Sequence, residues 1–159
     1  MIMWLIRRLI AKWSVDEKSY HNHFLHLIDE WRNTRTVFYR LGDDTWASKK
    51  MASAGVSGIT LDNLIIVRHE CWHKATAHPV SKFVKHEMVH HMQCERTGCF
   101  TGQMIKYAAV YAWIYLFKWG CHAYYDNKYE IEARDLAGQD QIDWRERGVN
   151  RWTPWKLKA

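Results

Sequence analysis

The sequence predicts a single α+β domain, in which a small β-sheet or hairpin precedes a group of helices. Its 159 residues are 48% hydrophobic and 25% charged, a balance typical of one globular core. Runs of β-forming residues end near position 67, whereas the later sequence shows helical spacing and helix caps. Two prolines, eight glycines and no internal repeat exclude collagen-like, linker-rich and solenoid chains. We therefore expect one domain over 1–159, with its core at about 35–147.

Residues 1–33 form the predicted N-terminal helical segment. Arg7 and Arg8 interrupt the apolar start of the chain and no small-residue cleavage site follows. We therefore expect a short amphipathic helix there, rather than a signal peptide or a membrane-spanning helix. A second helix over about 17–33 is predicted because apolar residues recur at helical spacing after Asp16, a residue suited to an N-cap. These apolar residues are Tyr20, Phe24, Leu27, Ile28 and Trp31.

Two stretches predict the sheet. Residues 36–41 (TVFYRL) are rich in β-formers and end at Gly42, which indicates a strand followed by a turn. Residues 59–61 and 64–67 flank the dipeptide Asp62-Asn63, and this spacing predicts a tight β-hairpin.

Two helices are expected next. Ser81 suits an N-cap and Gly98 suits a helix stop, so the first helix should run from about 82 to 97. The second, over about 103–119 and closed by Gly120, is uncharged from position 107 to 117. Because that stretch is too short to span a bilayer, we expect a buried core helix.

A third helix is predicted from about Lys128 through Gln139, with further turns to about 147. The remaining residues, 148–159, form a basic tail that carries Trp152 and Trp155. Trp and Arg are favoured anchors of protein interfaces. We therefore expect this tail and the N-terminal helix to dock onto a protein partner.

The chemically specific motif is His86-Glu87-Met88-Val89-His90, an HExxH sequence inside a predicted helix. Residues four apart stand on one helix face, so both imidazoles can reach a single zinc ion. Glu87 lies beside them, near a metal-bound water. The motif therefore predicts a Zn²⁺ site with His86 and His90 as ligands and Glu87 as the general base.

A second HExxH copy, residues 69–73, lies upstream. It continues the β-branched run 64–67, so we expect it on a strand or at the exit of that strand. On a strand, His69 and His73 would stand about 13 Å apart, too far to share one metal ion. We therefore assign the metal site to the downstream copy.

A hydrolytic zinc site needs a third protein ligand and an open position for water. Two candidates, Glu130 and Glu132, lie on the last predicted helix. They project in different directions from a helix, so only one can face the metal, and the spacing alone does not choose between them.

Three segments, GITLDNLIIV, HEMVHHMQ and AYYDNKYEIEARDLA, resemble those of short zincin-like zinc metallopeptidases found in phage and bacterial genomes. The resemblance covers about residues 55–140 and implies a minimal zincin-like domain. It also implies that the third ligand is the glutamate three positions before the alanine, which is Glu130. Such families often carry Asp or Asn four residues after this ligand, where this chain has Arg134.

The implied activity is hydrolysis of a peptide amide bond by a zinc-activated water, so the expected substrate is a peptide or protein. Glu87 would carry a proton from the water to the leaving amine. Tyr124, Tyr125 and His122 precede the third ligand and are candidates for stabilising the oxyanion, with Tyr124 taken as the catalytic residue. His91 is turned away from the metal by helical geometry and is expected to be structural.

The alternative is a non-catalytic zincin-fold component of a virion or other large assembly, in which zinc only stabilises the fold. A net charge of +6 without finger, RNP or helix-turn-helix spacing predicts no specific nucleic-acid partner. The four cysteines form no CxxC pair and are expected to be reduced. We expect a cytoplasmic or virion-associated protein, not secreted by a signal peptide and without a transmembrane segment.

Overall fold

A computed structural model describes residues 8, 10, 12–21, 35–53, 56–77, 79–118 and 121–141. Across these residues the protein is α+β, as predicted, with a four-stranded mixed sheet and five α-helices. The strands are β1 (Ser14–His21), β2 (Arg35–Leu41), β3 (Gly58–Leu61) and β4 (Leu64–Val67). The helices are α1 (Trp46–Ser53), α2 (Trp72–Thr76), α3 (Lys82–Thr97), α4 (Phe100–Phe117) and α5 (Lys128–Leu136).

The sheet has the strand order β1-β2-β4-β3, with β2 and β4 parallel and the two outer pairs antiparallel. The predicted strand at 36–41 is confirmed as β2, and the predicted hairpin is confirmed as β3 and β4. Asp62 makes the tight turn between them with a positive φ of 61°. Asp is one of the residue types that tolerate this backbone conformation, which explains why Asp62-Asn63 predicted the turn correctly.

The helix predicted over 17–33 is wrong for residues 17–21, which belong to β1. The strand pairs with β2 from Ser14 opposite Leu41 to His21 opposite Arg35. No apolar side chain lies between Val15 and Tyr20, so this part of the segment has no apolar helical face to bury. Backbone pairing along β2 outweighs local periodicity here.

The other predictions for the chain ends fall largely on undescribed residues. The remainder of the predicted helix, 22–33, and the tail, 148–159, lie outside the described residues, as does most of the first amphipathic helix. Within that helix, Arg8, Ile10, Lys12 and Trp13 are helical, and Ile10 is buried.

The helix predicted over 82–97 is confirmed with the same bounds as α3. The Ser81 hydroxyl accepts a hydrogen bond from the Val84 backbone N–H, which satisfies one of the free donors of the first turn. Gly98 ends the helix with a φ of 81°, a conformation that favours glycine. Local capping chemistry alone therefore positions the HExxH residues on a helix.

The expectation that the apolar helix is buried is wrong. The helix α4 runs over Phe100–Phe117, and Gln103 and Ile114 are its fully buried residues. The side chains of Ile105, Leu116 and Phe117 are each more than half exposed. An apolar composition shows that a helix can be buried, whereas the surrounding elements determine whether it is. None of the helices among the described residues has the length and apolar character needed for a membrane span.

The last helix, α5, ends at Leu136, earlier than the predicted Gln139. Gly138 adopts a φ of 65°, a left-handed conformation that is common just after the end of a helix and that favours glycine. The further turns predicted to about 147 fall on residues 142–147, outside the described part of the chain.

The upstream HExxH copy lies at the exit of β4, one of the two placements that were expected, and not on the strand itself. Its first three residues, His69–Cys71, form a 3₁₀ turn that continues into α2. This helical turn buries Cys71 and Ala75 in the core. All four cysteines are free thiols.

The hydrophobic core lies where α3 packs between the sheet and α5. Its buried side chains come from β2, β4, the 3₁₀ turn, α2, α3 and α5. They are Phe38, Ile65, Val67, Cys71, Ala75, Val84, Met88, Val89, Met92 and Ala133. The core thus holds α3 rigidly against both of its neighbours.

Ile65→Ala is expected to lower the free energy of unfolding by about 2–5 kcal/mol, because Ile65 is completely buried and its removal leaves a cavity. Chemical denaturation followed by circular dichroism measures this change. Val15→Ala in β1 is the control, since Val15 is 58% exposed, and it should change stability by at most about 0.5 kcal/mol. Equal effects of both substitutions would contradict the assigned core.

Candidate metal centre

Three side chains from two helices converge at one end of the core. His86 and His90 lie one turn apart on α3, and Glu130 lies in the first turn of α5. The two Nε2 atoms are 3.2 Å apart. Glu130 approaches both histidines at 3.4 Å, with Oε2 on His86 Nε2 and Oε1 on His90 Nε2. Among the described residues, these three form the group that can hold a metal ion.

The spacing of these donor atoms suits a small tetrahedral ion. Zinc binds histidine nitrogen and carboxylate oxygen at about 2.0–2.1 Å, which keeps tetrahedral ligands about 3.3–3.4 Å apart. The three observed separations are 3.2, 3.4 and 3.4 Å. Two imidazoles and one carboxylate also form a donor set known from catalytic zinc sites. The residues present therefore fit zinc.

The charges at the site also favour a cation. Glu130 Oε2 is buried and makes no hydrogen bond among the described residues beyond its approach to His86. Burial alone would raise the pKa of Glu130, but His90 and His86 outweigh it and hold that pKa well below its usual range. Burial likewise opposes protonation of His90, yet the Glu130 and Glu87 carboxylates raise its pKa to about 9. A bound metal ion would displace this proton.

Glu130, and not Glu132, faces the two histidines. The Glu132 carboxylate accepts hydrogen bonds from Arg96 at 2.5 Å and from the Gln93 side-chain amide at 2.9 Å. It therefore points along α3 away from the donor cluster. The packing of α5 on α3 thus brings Glu130, the glutamate that the resemblance implied, beside the two histidines.

Each histidine is oriented through its second ring nitrogen. Gln93 Oε1 lies 2.9 Å from His90 Nδ1, and Gln139 Oε1 lies 3.1 Å from His86 Nδ1. An amide oxygen can only accept, so both Nδ1 atoms carry the proton and both Nε2 atoms present a lone pair to the site in the neutral tautomer. Gln93 is itself held by the Tyr129 carbonyl and by Glu132.

Gln93→Ala is expected to weaken zinc binding by about 10–100-fold, because His90 loses the acceptor that fixes its tautomer and ring orientation. Competition with a chromophoric chelator measures the affinity. Gln141→Ala is the matched control, since Gln141 contacts Arg134 and Asp135 rather than a histidine. An unchanged affinity in Gln93→Ala would show that the His90 ring needs no such support.

Glu87 lies on α3 beside the cluster and contacts β3. It is 7% exposed, and its Oε2 accepts a 2.6 Å hydrogen bond from the Thr60 hydroxyl. Strand and helix approach closely at Gly58, where an added Cβ would lie 2.9 Å from the Phe83 ring and 3.1 Å from Glu87 Oε1. Glycine at 58 thus allows the carboxylate to stand between the strand and the histidines.

Two tyrosines lie beside the carboxylate of Glu130. The Tyr107 hydroxyl on α4 donates a 3.0 Å hydrogen bond to Oε1, and Tyr124 is close enough for the carboxylate to act on its phenol. Burial, with the nearby carboxylate, raises the pKa of both phenols, so both remain protonated donors. Of the three expected oxyanion donors, Tyr124 is thus a phenol that lines the cavity beside Glu130.

The other two candidates, His122 and Tyr125, shape the loop before α5. The His122 ring is fully buried, and its Nδ1 accepts from the backbone N–H groups of Tyr124 and Tyr125. Arg134 donates a hydrogen bond to the Tyr125 carbonyl. It therefore braces the loop that presents Tyr124.

His91 has the structural role that was expected of it. It is 1% exposed and points from α3 toward the sheet, where its Nδ1 lies 2.9 Å from the Thr36 hydroxyl. Its Nε2 lies 3.5 Å from Glu95. Burial lowers its pKa, so the ring is neutral within the packed interface. Neither nitrogen takes part in the donor cluster.

The cluster opens into a cavity of about 600 Å³, within the range usual for ligand sites. One wall is formed by Ser57, Gly58, Ile59 and Thr60 of the β3 segment, and the opposite wall by Gln103, Met104 and Tyr107 of α4. Glu87 and Tyr124 also face it. Glu87, the donor cluster and a phenol therefore share one solvent-accessible space.

Sequence reasoning missed Thr60, Tyr107 and Gln139 as parts of this site. Gln93 had a usable signal, because it follows His90 by three positions on the same helix face. The other three contact the site from distant parts of the chain: Thr60 is 27 residues from Glu87, Tyr107 is 23 from Glu130, and Gln139 is 53 from His86. No local pattern reports such contacts.

The chain was also compared with known proteins. It matches no family model, no curated protein and no solved structure. Conclusions about its chemistry therefore depend on the residues of this centre.

Proposed function

We propose that the protein is a zinc-dependent hydrolase that cleaves a peptide amide bond. The observation that carries the proposal is a His86/His90/Glu130 donor set at tetrahedral spacing with a buried glutamate, Glu87, facing the same cavity. A metal site that served the fold alone would need no carboxylate base beside it. When bound, zinc acts as a Lewis acid that activates water and polarises the scissile carbonyl.

In this proposal Glu87 moves the proton. It accepts one from the attacking water as the water oxygen bonds to the carbonyl carbon, and it delivers that proton to the amine nitrogen as the C–N bond breaks. The Thr60 hydroxyl holds one carboxylate oxygen of Glu87 and leaves the other free for this exchange. We assign to Tyr124, which lines the cavity beside Glu130, the hydrogen bond to the carbonyl oxygen as charge develops there.

The edge strand beside the cavity favours a peptide substrate over a small molecule. Strand β3 lies at the edge of the sheet in the described part of the chain, and its residues line the cavity. An edge strand offers unpaired N–H and C=O groups, to which an extended peptide can add as a further strand. Such a peptide would run past Glu87 and the donor cluster.

The test is hydrolysis of a mixed peptide library by the purified chain, read by mass spectrometry. Cleavage should cease on treatment with a chelator and return when Zn²⁺ is restored. Zinc bound without any cleavage would instead favour the non-catalytic component of a virion or other assembly. The N-terminal and C-terminal segments expected to dock in that role lie largely outside the described residues.

A further inference from the structure

The outward side of α4 carries a continuous apolar surface. We define the α4 outer face as Ile105, Ala109, Ala112, Trp113, Leu116 and Phe117, all of which are exposed. The four large side chains are between 56% and 65% exposed. The residues follow one another at helical spacings of three and four, so they lie on one side of an 18-residue helix about 27 Å long.

This face differs from ordinary scattered surface residues. Single exposed apolar side chains need no explanation, whereas a contiguous apolar patch marks an interaction surface. Trp113 and Phe117 pack against each other with ring centroids 4.7 Å apart, which makes the C-terminal half of the face one aromatic ridge. Lys106 and Lys118 are exposed near the two ends of the uncharged stretch.

The charged residues on α4 and on the chain immediately flanking it are all positive. No Asp or Glu occurs between Glu95 and Asp126, and the charged residues inside that interval are Arg96, Lys106 and Lys118. The chain as a whole carries a net charge of +6. A second copy packed on this face would bring like charges together, whereas an anionic surface complements them.

We propose that α4 docks on the surface of an anionic lipid bilayer, with its axis in the plane of the membrane and its outer face in the headgroup region. Trp, Phe and Leu side chains on an exposed apolar face enter the acyl boundary, while lysine side chains extend to the lipid phosphates. The same helix contributes Gln103, Met104 and Tyr107 to the cavity wall. Docking therefore holds the cavity next to the lipid surface. The inference does not require that the centre be catalytic.

The test is cosedimentation of the full chain with vesicles of phosphatidylcholine alone or mixed with phosphatidylglycerol. We expect binding to the mixed vesicles, decreasing as salt is raised. The double variant Trp113→Gln/Phe117→Gln should bind at least about tenfold more weakly, because the aromatic ridge is lost. Trp46→Gln is its control, since Trp46 is 71% exposed on α1 and should leave binding unchanged.

The charge contribution is tested in the same assay. Lys106→Gln/Lys118→Gln should weaken binding to the mixed vesicles by about 25-fold, about fivefold for each lysine. The matched control replaces two exposed lysines elsewhere, Lys49 and Lys74, with glutamine. Circular dichroism melting establishes that each variant is folded, which is expected because every substituted side chain is exposed.

Three outcomes would overturn the proposal. The first is no binding to phosphatidylglycerol vesicles at low salt. The second is equal binding by wild type and the Trp113→Gln/Phe117→Gln variant. The third is a lipid-free dimer, seen by analytical ultracentrifugation, that the same variant dissociates, because the face would then be covered by a second copy.

Discussion

Glu87→Gln is expected to lower the rate of peptide hydrolysis by about 10²–10⁴-fold while zinc stays bound. Glutamine keeps the shape of the side chain and can still accept a hydrogen bond from Thr60, but it cannot take a proton from water. The three metal donors are untouched by the change. The measurement is kcat/KM on the best peptide of the library, together with the zinc content of the same preparation.

Glu95→Gln is the control for this substitution. Glu95 lies on the same helix, contacts His91 rather than the donor cluster, and should retain wild-type activity. Full activity in Glu87→Gln would reject Glu87 as the base and point to another hydrolase in the preparation. Loss of zinc together with activity would show that Glu87 is needed for metal binding rather than for proton transfer from the water.

His86→Ala is expected to abolish stoichiometric zinc binding, because two donors cannot hold the ion against dilution and dialysis as three can. Wild type should carry about one zinc per chain. His69→Ala should carry the same amount, since the His69 ring contacts Arg40 and Asp43 at the surface. Elemental analysis after dialysis measures the zinc content, and a zinc-dependent rise in melting temperature gives an independent readout.

A pair of glutamate variants distinguishes the metal ligand from a residue that only positions another side chain. Glu130→Gln should lose zinc as His86→Ala does, whereas Glu132→Gln should only weaken binding, through Gln93. If His69→Ala alone lost the metal, the site would belong to the upstream motif. A wild-type chain that takes up no zinc would end the proposed function. The membrane proposal would survive that result, because it depends on α4 alone.

Much of the site follows from local chemistry. Ser81 and Gly98 specify where α3 begins and ends, so the HExxH residues are on a helix with His86 and His90 on one face. Asp62 specifies the turn of the hairpin whose edge strand meets Glu87. Helix caps, tight turns and four-residue spacings involve residues that are close in the sequence. They can therefore be predicted from one sequence alone.

Contacts between distant elements were decided by packing. The choice of Glu130 over Glu132 depends on the rotation of α5 against α3, and Tyr107 reaches Glu130 only because α4 crosses nearby. The two clear errors have the same origin: β1 forms because β2 is available to pair with it, and α4 is exposed because no described element covers it. Local sequence determines which faces an element has, whereas the free energy of burying or pairing those faces is a property of the whole fold.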